Sequence, residues 1–429
     1  MLLRNNKIEK QLTKNALTAI FYSGCKQEQK IGIETEKLLV YKDSFKAVKY
    51  EDVIKVLSFF DEKKWVRIYE NNNLVGLKGE IGMISLEPGS QVELSLLPYE
   101  NLDDITQKLS KFYDELSIYS EKINAVVLNS GIQPVSTFND INIIPKKRYE
   151  FMTKYLPLKQ LTPFVMMRET AGIQANFDYK NEEEAIKKLS AALKMSPFIS
   201  SIYANSPVRN SGLTGYKSYR ANSWLNVDEE RCGYISKKLF DKNLNFTFND
   251  YTEVLLDVPM IFIQRGNEFY GTVQTFREFM QNGYMGLSAQ LSDWENHISL
   301  YFPDVRLKSY VEIRNHDAQN ALMTFSVPAF WKGIMYNDCA LTEVENILNK
   351  YTYEDFIMLR KETPVYGINT KLGNIPVIDF IKEFFDISYS SLKENNKQEE
   401  KYLDIVYEYI SQKRVPADSL IDEFNRKIS

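Results

Sequence analysis

Polar and apolar side chains alternate in four short segments of the chain, at residues 32–36, 91–95, 174–178 and 310–314. A period of two predicts β-strands that have one apolar and one polar face. An ordinary solvated face would carry Lys, Thr and Ser, whereas these polar positions hold carboxylates, amides and one arginine. The members that concentrate negative charge or oxygen ligands are Glu34, Glu36, Glu93, Asn176, Asp178 and Glu312.

Carboxylates gathered on one face repel each other unless a cation neutralises them. Oxygen ligands without histidine or cysteine suit Mg²⁺, and Mg²⁺ most often arrives with a nucleotide phosphate. Each segment alone fits an ordinary half-solvated strand. The four together favour a binding site for a metal and a nucleotide.

The rest of the pattern predicts an α+β fold with an antiparallel sheet, because helices and strands are intermingled and short turns join several strands. A kink or break is expected at Pro197, and residues 205–235 are predicted to form a functional loop. The predicted strands are 30–41, 74–78, 82–86, 91–96, 172–179 and a central apolar strand at 254–263. The predicted helices are 8–21, 102–130, 182–203, 274–282, 292–300 and 328–337, followed beyond 340 by helices with an interruption at 392–400.

Composition and charge exclude several classes of protein. The chain has 429 residues, 26% of them charged, and a formal net charge of −4, which argues against a nucleic-acid-binding protein. No stretch approaches the roughly 20 apolar residues of a membrane span, and the first residues do not resemble a secretory signal. A cytoplasmic location without membrane association is therefore expected.

Several catalytic motifs are excluded by their spacing. The segment Gly212–Ser218 lacks the glycine spacing of a phosphate-binding P-loop, and no GxGxxG occurs. The only two histidines, His297 and His316, are unpaired, which argues against a zinc site or a Ser-His-Asp hydrolase. The three cysteines are widely spaced and odd in number, so no disulfide framework is expected.

Two arginines are candidates for binding an anion. Arg220 lies between Tyr219 and Trp224, and Arg314 shares a predicted strand face with Glu312. A guanidinium group beside an acidic ligand often holds that ligand by a salt bridge, but it also suits a carboxylate or phosphate. Chemistry alone leaves both interpretations open.

Longer motifs point to a family. In chain order they are residues 84–95 (ISLEPGSQVELS), 204–207 (ANSP), 256–260 (LDVPM), 293–297 (DWENH), 301–308 (YFPDVRLK) and 310–314 (YVEIR). Together they resemble the plant and proteobacterial type of glutamate–cysteine ligase. The resemblance runs from about 30 to 340, and the region beyond is not diagnostic.

This resemblance implies a curved antiparallel sheet with helices on its outer face, similar to the glutamine synthetase superfamily. It implies that ATP and Mg²⁺ activate the γ-carboxylate of L-glutamate as γ-glutamyl phosphate, and that the amine of L-cysteine then displaces phosphate. Residues 1–340 are expected to form the catalytic domain, and 341–429 a helical C-terminal region. A monomer or homodimer is expected.

The resemblance also assigns residues. The expected metal ligands are Glu34, Glu36, Glu87, Glu93 and Glu312. The expected nucleotide-binding residues are Gln174, Asn176 and Arg314, and Arg314 and Glu93 are the expected catalytic residues. Arg220 and Trp224, with Tyr219, are expected to hold the α-carboxylate of glutamate.

The chain departs from the family pattern at two places. The usual Arg-Gly-Ala-Asp is replaced by Arg314-Asn315-His316-Asp317, and Leu96 and Leu97 occupy positions where small residues are common. A related ligase that uses another amine therefore stays open. A non-catalytic relative is a weaker alternative, because every acidic strand position is intact.

Overall fold

A computed structural model of the protein describes residues 12–158, 162–241 and 245–428. The strands are β1 Ile31–Tyr41, β2 Trp65–Glu70, β3 Asn73–Gly79, β4 Gly82–Leu86, β5 Val92–Tyr99, β6 Ala125–Leu128, β7 Gly172–Phe177, β8 Val208–Arg209, β9 Gly212–Leu213, β10 Phe262–Arg265, β11 Glu268–Gly271, β12 Val305–Leu307, β13 Val311–Asp317, β14 Lys371–Leu372 and β15 Ile375–Pro376. The helices are α1 Lys14–Tyr22, α2 Tyr50–Ser58, α3 Leu102–Glu121, α4 Lys147–Tyr155, α5 Pro163–Glu169, α6 Glu182–Ile202, α7 Tyr219–Leu225, α8 Glu229–Cys232, α9 Lys237–Phe240, α10 Phe248–Leu256, α11 Phe276–Asn282, α12 Leu291–Ser299, α13 Ala321–Met335, α14 Asp338–Leu348, α15 Tyr353–Tyr366, α16 Val377–Glu394, α17 Asp404–Gln412 and α18 Pro416–Ile428.

A nine-stranded antiparallel sheet organises the molecule. Its strand order is β12-β13-β7-β1-β5-β4-β3-β2, and β6 pairs with the second half of β1. All four alternating segments lie in this sheet, as strands β1, β5, β7 and β13. The predicted α+β fold with an antiparallel sheet is confirmed.

The apolar face of β1 is covered by helix α3. Ile31 and Ile33 are fully buried on this face, and the Thr35 hydroxyl lies 2.9 Å from the Tyr113 hydroxyl of α3. Helix α13 packs on α3 and on β7. Because side chains alternate along a strand, burying this face turns Glu34 and Glu36 to the other one.

Helix α3 is shorter than predicted. It starts at the N-cap Asn101, whose side chain accepts from the Asp104 N–H at 2.8 Å, but it ends at Glu121 rather than near 130. Asn124 adopts a left-handed conformation with φ of 56°, which a continuing right-handed helix cannot accommodate. The β-branched residues that follow form strand β6 against β1.

The central apolar strand predicted at 254–263 is wrong. Val254 lies in helix α10, which begins with a capping box between Thr247 and Asp250. Strand β10 starts only at Phe262 and pairs with β11 in a separate two-stranded sheet. A short apolar run is compatible with either a strand or a buried helix, so periodicity could not separate the two elements.

Other boundaries differ in smaller ways. Helix α6 continues through Pro197 without the expected break, and α13 begins seven residues before the predicted start, after the N-cap Asn320. The first predicted helix is observed from Lys14, and residues 1–11 lie outside the described part of the chain. The predicted loop at 205–235 contains the β8–β9 hairpin and helices α7 and α8.

The C-terminal helices share the core of the sheet region. Helices α15 and α16 pack on α6, and α16 also packs on α13. One continuous hydrophobic cluster extends from Leu17 to Ala417. The division at residue 340 stays a prediction. Within the described ranges, no helix combines the length and apolar character needed to cross a membrane.

Candidate functional site

The sheet brings the predicted polar residues together on one face. In the register, Glu36 lies opposite Glu93, and Glu34 lies between Ser95 and Gln174. Glu312 is opposite Asn176 on one side and Arg306 on the other. Strands β1, β5, β7, β12 and β13 therefore supply one continuous polar surface.

One part of this surface is acidic and is called the carboxylate half; its members are Glu34, Glu36, Glu87 and Glu93. Their hydrogen-bond donors are neutral groups. Glu93 accepts from the hydroxyls of Ser85 and Ser95 at 3.0 and 3.1 Å. Glu34 accepts from the Asn176 side chain at 2.9 Å, Glu36 from the Gly172 N–H at 2.6 Å, and Glu87 from the Tyr149 hydroxyl at 3.2 Å.

Burial and neighbouring carboxylates raise the pKa values of Glu34, Glu36 and Glu93. Burial, followed by the neighbouring charges of Glu87, Glu34 and Glu36, holds the pKa of Glu93 well above its usual range. Burial raises the pKa of Glu36 to about 7, against the opposing effect of Arg220. Burial and then Glu312 raise the pKa of Glu34. The cationic side chains near these three carboxylates are too few to offset burial and repulsion and so to favour the ionised form.

The other part of the surface is called the guanidinium half; its members are Arg220, Arg306, Arg314 and Arg360. Glu312 lies within it and is already paired with cations. It is fully buried, Arg306 binds both of its oxygens, and Arg314 donates to it at 2.8 Å. Burial alone would raise the pKa of Glu312, but Arg306, Arg314 and Lys308 together hold it far below its usual value.

A cavity with about 490 Å³ of empty space, part of it open to solvent, adjoins the guanidinium half. Arg220, Trp224 and Arg314 all line it, and Ser196, Asp304, Asn315 and Arg360 are among its other polar lining residues. The buried Nε of Arg220 and Nε1 of Trp224 have no hydrogen-bond partner among the described residues. Unpaired buried donors are costly and therefore point to a ligand.

The loop before α7 fixes the position of Arg220. Asp317 accepts from the hydroxyls of Ser206 and Ser218 at 2.6 and 2.9 Å, and Ser218 is the N-cap of α7. Arg220 then donates to the Arg314 carbonyl at 3.1 Å. A Cβ at Gly172 would lie 2.4 Å from the Arg220 guanidinium, so glycine leaves the space that this side chain occupies.

Tyr219 is separated from the other predicted substrate residues. Its ring packs edge-on against Tyr216 and beneath Arg209, and it is not among the residues that line the cavity. Its proposed contact with substrate stays a prediction.

The sequence missed two cavity residues that pair with each other. Arg360, from helix α15, binds both oxygens of Asp304, at 2.5 and 2.9 Å. Lys146 is a further omission: its ammonium donates to the Leu86 carbonyl at 2.9 Å, next to Glu87. No local pattern marks Arg360 or Lys146, because each reaches the site through contacts that are distant in sequence. Asp304 lies in the 301–308 motif, but its pairing with Arg360 is equally distant in sequence.

The potential metal ligands of the carboxylate half are all carboxylate oxygen atoms, and Mg²⁺ prefers oxygen ligands. The buried Oδ1 of Asn176, next to Glu34, has no partner among the described residues and could supply a neutral oxygen ligand. No three carboxylate, imidazole or thiol groups in the described ranges stand close enough to bind a metal by themselves. Mg²⁺ commonly takes only one or two carboxylates and completes its shell with water and phosphate.

Comparison of the sequence with protein families gives one match over most of the chain. Residues 30–374 match the model of glutamate-cysteine ligase family 2 (GCS2). Glutamate–cysteine ligase A, chloroplastic, of Oryza sativa subsp. indica is 34% identical over 423 residues, covering 97% of this chain and 85% of the rice protein. The chloroplastic enzyme of Arabidopsis thaliana is 32% identical, covering 96% and 80%.

Solved structures share the fold at low sequence identity. The glutamate–cysteine ligase of Francisella tularensis in complex with AMP has a TM-score of 0.53 and 15% identity, over 93% of this chain and 85% of that one. A bifunctional glutathione synthetase from Pasteurella multocida has a TM-score of 0.52 and 14% identity, over 97% and 51%.

The comparison with plant proteins corrects one prediction. The similar rice, tobacco and Arabidopsis enzymes are all chloroplastic by name. The cytoplasmic location predicted from the sequence is contradicted by these relatives and is wrong.

Proposed function

This chain belongs to glutamate-cysteine ligase family 2, and from this premise we propose that it joins the γ-carboxylate of L-glutamate to the amine of L-cysteine. The reaction consumes ATP and requires Mg²⁺. The observation that carries the proposal is the pairing of an acidic half and a guanidinium half on one sheet face. A metal–nucleotide complex and an anionic amino acid need complementary surfaces of this kind.

In this proposal the carboxylate half holds Mg²⁺, each ion through one or two of Glu34, Glu36, Glu87 and Glu93, with water and phosphate completing its shell. Bound magnesium supplies positive charge that neutralises the phosphate oxygens and the developing charge of phosphoryl transfer. The raised pKa values of Glu36 and Glu93 support this assignment, because burial and then neighbouring carboxylates raise them and a bound cation would offset both effects. Glu312 was also expected to bind metal. Its cationic partners already neutralise it, so its metal contact stays a prediction.

Arg314 lies at the junction of the two halves. Its Nη1 donates to both Gln174 and Glu312, which fixes the guanidinium between strands β7 and β13. A fixed cation there can stabilise the charge that develops when the γ-carboxylate attacks phosphorus. Gln174 and Asn176 are proposed to contact the nucleotide or its metal from the adjacent strand.

The reaction has two steps. An oxygen of the γ-carboxylate attacks the γ-phosphorus of ATP, and the bond from that phosphorus to ADP breaks. The unprotonated amine of cysteine then attacks the γ-carbonyl carbon, the carbon–oxygen bond to phosphate breaks, and the nitrogen loses a proton. ADP, inorganic phosphate and γ-glutamylcysteine are released.

The proposal is tested by measuring ADP formation with L-glutamate and a panel of amines, and by identifying each product by mass. We expect ADP, phosphate and γ-glutamylcysteine in equal amounts when cysteine is the acceptor. Glutamate labelled with ¹⁸O in its γ-carboxylate should transfer one labelled oxygen to phosphate. Release of unlabelled phosphate with amide formation would contradict the acyl phosphate.

The departures from the family pattern at His316, Leu96 and Leu97 leave one alternative open, a ligase that joins glutamate to another amine. Faster ADP formation with an amine other than cysteine would establish that alternative. Absence of ADP formation with every amine, in protein that binds nucleotide, would contradict both ligase proposals.

A further inference from the structure

Strand β13 carries one extra residue where it borders the cavity. Ile313 pairs with Ala175 and His316 with Ile173, so two residues of β13 oppose the single residue Gln174 of β7. This is a β-bulge, which re-aims side chains and often occurs beside active sites. Its two residues, Arg314 and Asn315, both line the cavity of the guanidinium half.

The side chain of Asn315 has a fixed orientation. It is 9% exposed, and its Nδ2 donates to the Ser196 carbonyl at 2.6 Å and to the Ser196 hydroxyl at 2.7 Å. A backbone carbonyl only accepts hydrogen bonds, so the amide cannot be flipped without losing this contact. The other atom, Oδ1, is buried and has no partner among the described residues.

Three residues that line the cavity therefore carry buried polar atoms without a partner among the described residues, two of them donors and one an acceptor. The donors are Nε of Arg220 and Nε1 of Trp224, and the acceptor is Oδ1 of Asn315. A carboxylate accepts hydrogen bonds and an ammonium donates them. An α-amino acid presents both groups on one carbon, so it can satisfy both kinds of atom at once.

We infer that Asn315 is a specificity-determining residue whose Oδ1 accepts a hydrogen bond from the α-ammonium of L-glutamate. The inference rests on the proposed function and assigns an additional residue to its glutamate subsite. The amine of cysteine is the nucleophile and must be unprotonated when it attacks. The α-ammonium of glutamate takes no part in the reaction and can stay protonated throughout. It is therefore the group that a fixed acceptor such as Oδ1 of Asn315 can hold.

The decisive comparison uses glutarate, which equals glutamate without its α-ammonium. Isothermal titration calorimetry of the full chain, with Mg²⁺ and a non-hydrolysable ATP analogue, gives the Kd of each ligand. We expect the wild type to bind glutamate about 10- to 100-fold more tightly than glutarate, the value of one charge-assisted hydrogen bond. In Asn315→Ala the preference should fall to about threefold or less, mainly through weaker glutamate binding.

Two further variants separate the acceptor from the structural contacts of Asn315. Asn315→Asp keeps an oxygen acceptor but loses the Nδ2 bonds, so it should retain the preference for glutamate. Ser196→Ala removes one Nδ2 partner while leaving Oδ1 in place, so it should also retain the preference. If Asn315→Ala does not fold, loss of the preference in Asn315→Asp would overturn the inference.

The outcomes distinguish this inference from the proposed function. Equal weakening of both ligands in Asn315→Ala, with the preference unchanged, would overturn the role of Asn315 but leave the ligase proposal intact. A wild-type protein that binds nucleotide but no glutamate would overturn both.

Discussion

The two halves of the polar face differ in how their charges are balanced. Glu93 in the carboxylate half is bound by two serine hydroxyls, and its pKa is well above the usual range. Glu312 in the guanidinium half is bound by two arginines, and its pKa is far below that range. Two glutamates on the same sheet face thus have pKa values shifted in opposite directions.

The difference comes from the strands and helices that border each half. Strand β12 brings Arg306 beside Glu312, and helices α7 and α15 bring Arg220 and Arg360 to the same edge. On the other side, β4 and β5 contribute serine hydroxyls. One half therefore requires cations from outside the chain, while the other has an excess of guanidinium groups and suits an anionic substrate.

The largest expected effect is loss of turnover when the carboxylate half loses one charge. Glu93→Gln keeps the shape of the side chain but removes a charge that would hold the metal. We expect kcat to fall by about two to four orders of magnitude. Glu80→Gln, on the exposed turn between β3 and β4, is the matched control and should retain wild-type turnover. Full activity in Glu93→Gln would contradict the proposed role of Glu93 in metal binding.

Stability should respond in opposite directions in the two halves. Glu312→Gln leaves Arg306 and Arg314 without their shared anion, so the free energy of unfolding should fall by about 3–5 kcal/mol. Glu93→Gln removes a buried, repelled carboxylate and should leave the metal-free protein equally or more stable. Denaturant unfolding in the presence of a chelator measures both. Equal destabilisation by the two substitutions would contradict the division of the face.

Glutamate binding should depend on the guanidinium half, and ATP binding should not. Arg220→Lys keeps the charge but loses the planar fork that fits a carboxylate. The KM for glutamate should rise by about 10- to 100-fold, with the KM for ATP little changed. Steady-state kinetics with each substrate varied in turn measure this separation. A rise in the KM for ATP alone would make Arg220 a phosphate contact.

Removal of metal should make stability depend on pH. The folded pKa of Glu36 is raised to about 7, above that of an unfolded glutamate, so the folded state binds more protons between about pH 4.5 and 7. Its contribution to stability is complete below this window and is lost as the pH rises through it. We expect a loss of about 3 kcal/mol in chelator-treated protein. Saturating Mg²⁺ or Glu36→Gln should reduce this pH-dependent loss of stability. If the loss is unchanged under both conditions, Glu36 is not the group that causes it.

The sequence was informative where the signal was local. Alternation predicted strands β1, β5, β7 and β13, because a period of two depends only on neighbouring residues. The family motifs then brought Arg220 and Trp224 to the same site as Glu312. The antiparallel α+β fold follows from these strands and their short connections.

What the sequence did not predict depends on contacts distant in the chain. Arg306 neutralises Glu312 because β12 pairs with β13, but three residues are too few to show a strand period. Arg360 reaches the cavity from helix α15, and its pairing with Asp304, 56 residues earlier in the chain, cannot be read from the sequence around it. The bulge that adds Asn315 to the cavity arises from the register between β13 and β7, which neither strand specifies alone.

The division of the polar face is tested most directly by metal binding. Mn²⁺ can replace Mg²⁺ at oxygen sites, and the electron paramagnetic resonance signal of free Mn²⁺ reports its affinity in wild type, Glu93→Gln and Arg220→Lys. We predict that Glu93→Gln weakens Mn²⁺ binding by about tenfold or more, while Arg220→Lys binds it as the wild type does. Unchanged affinity in Glu93→Gln, or equal weakening in both variants, would contradict a metal site confined to the carboxylate half.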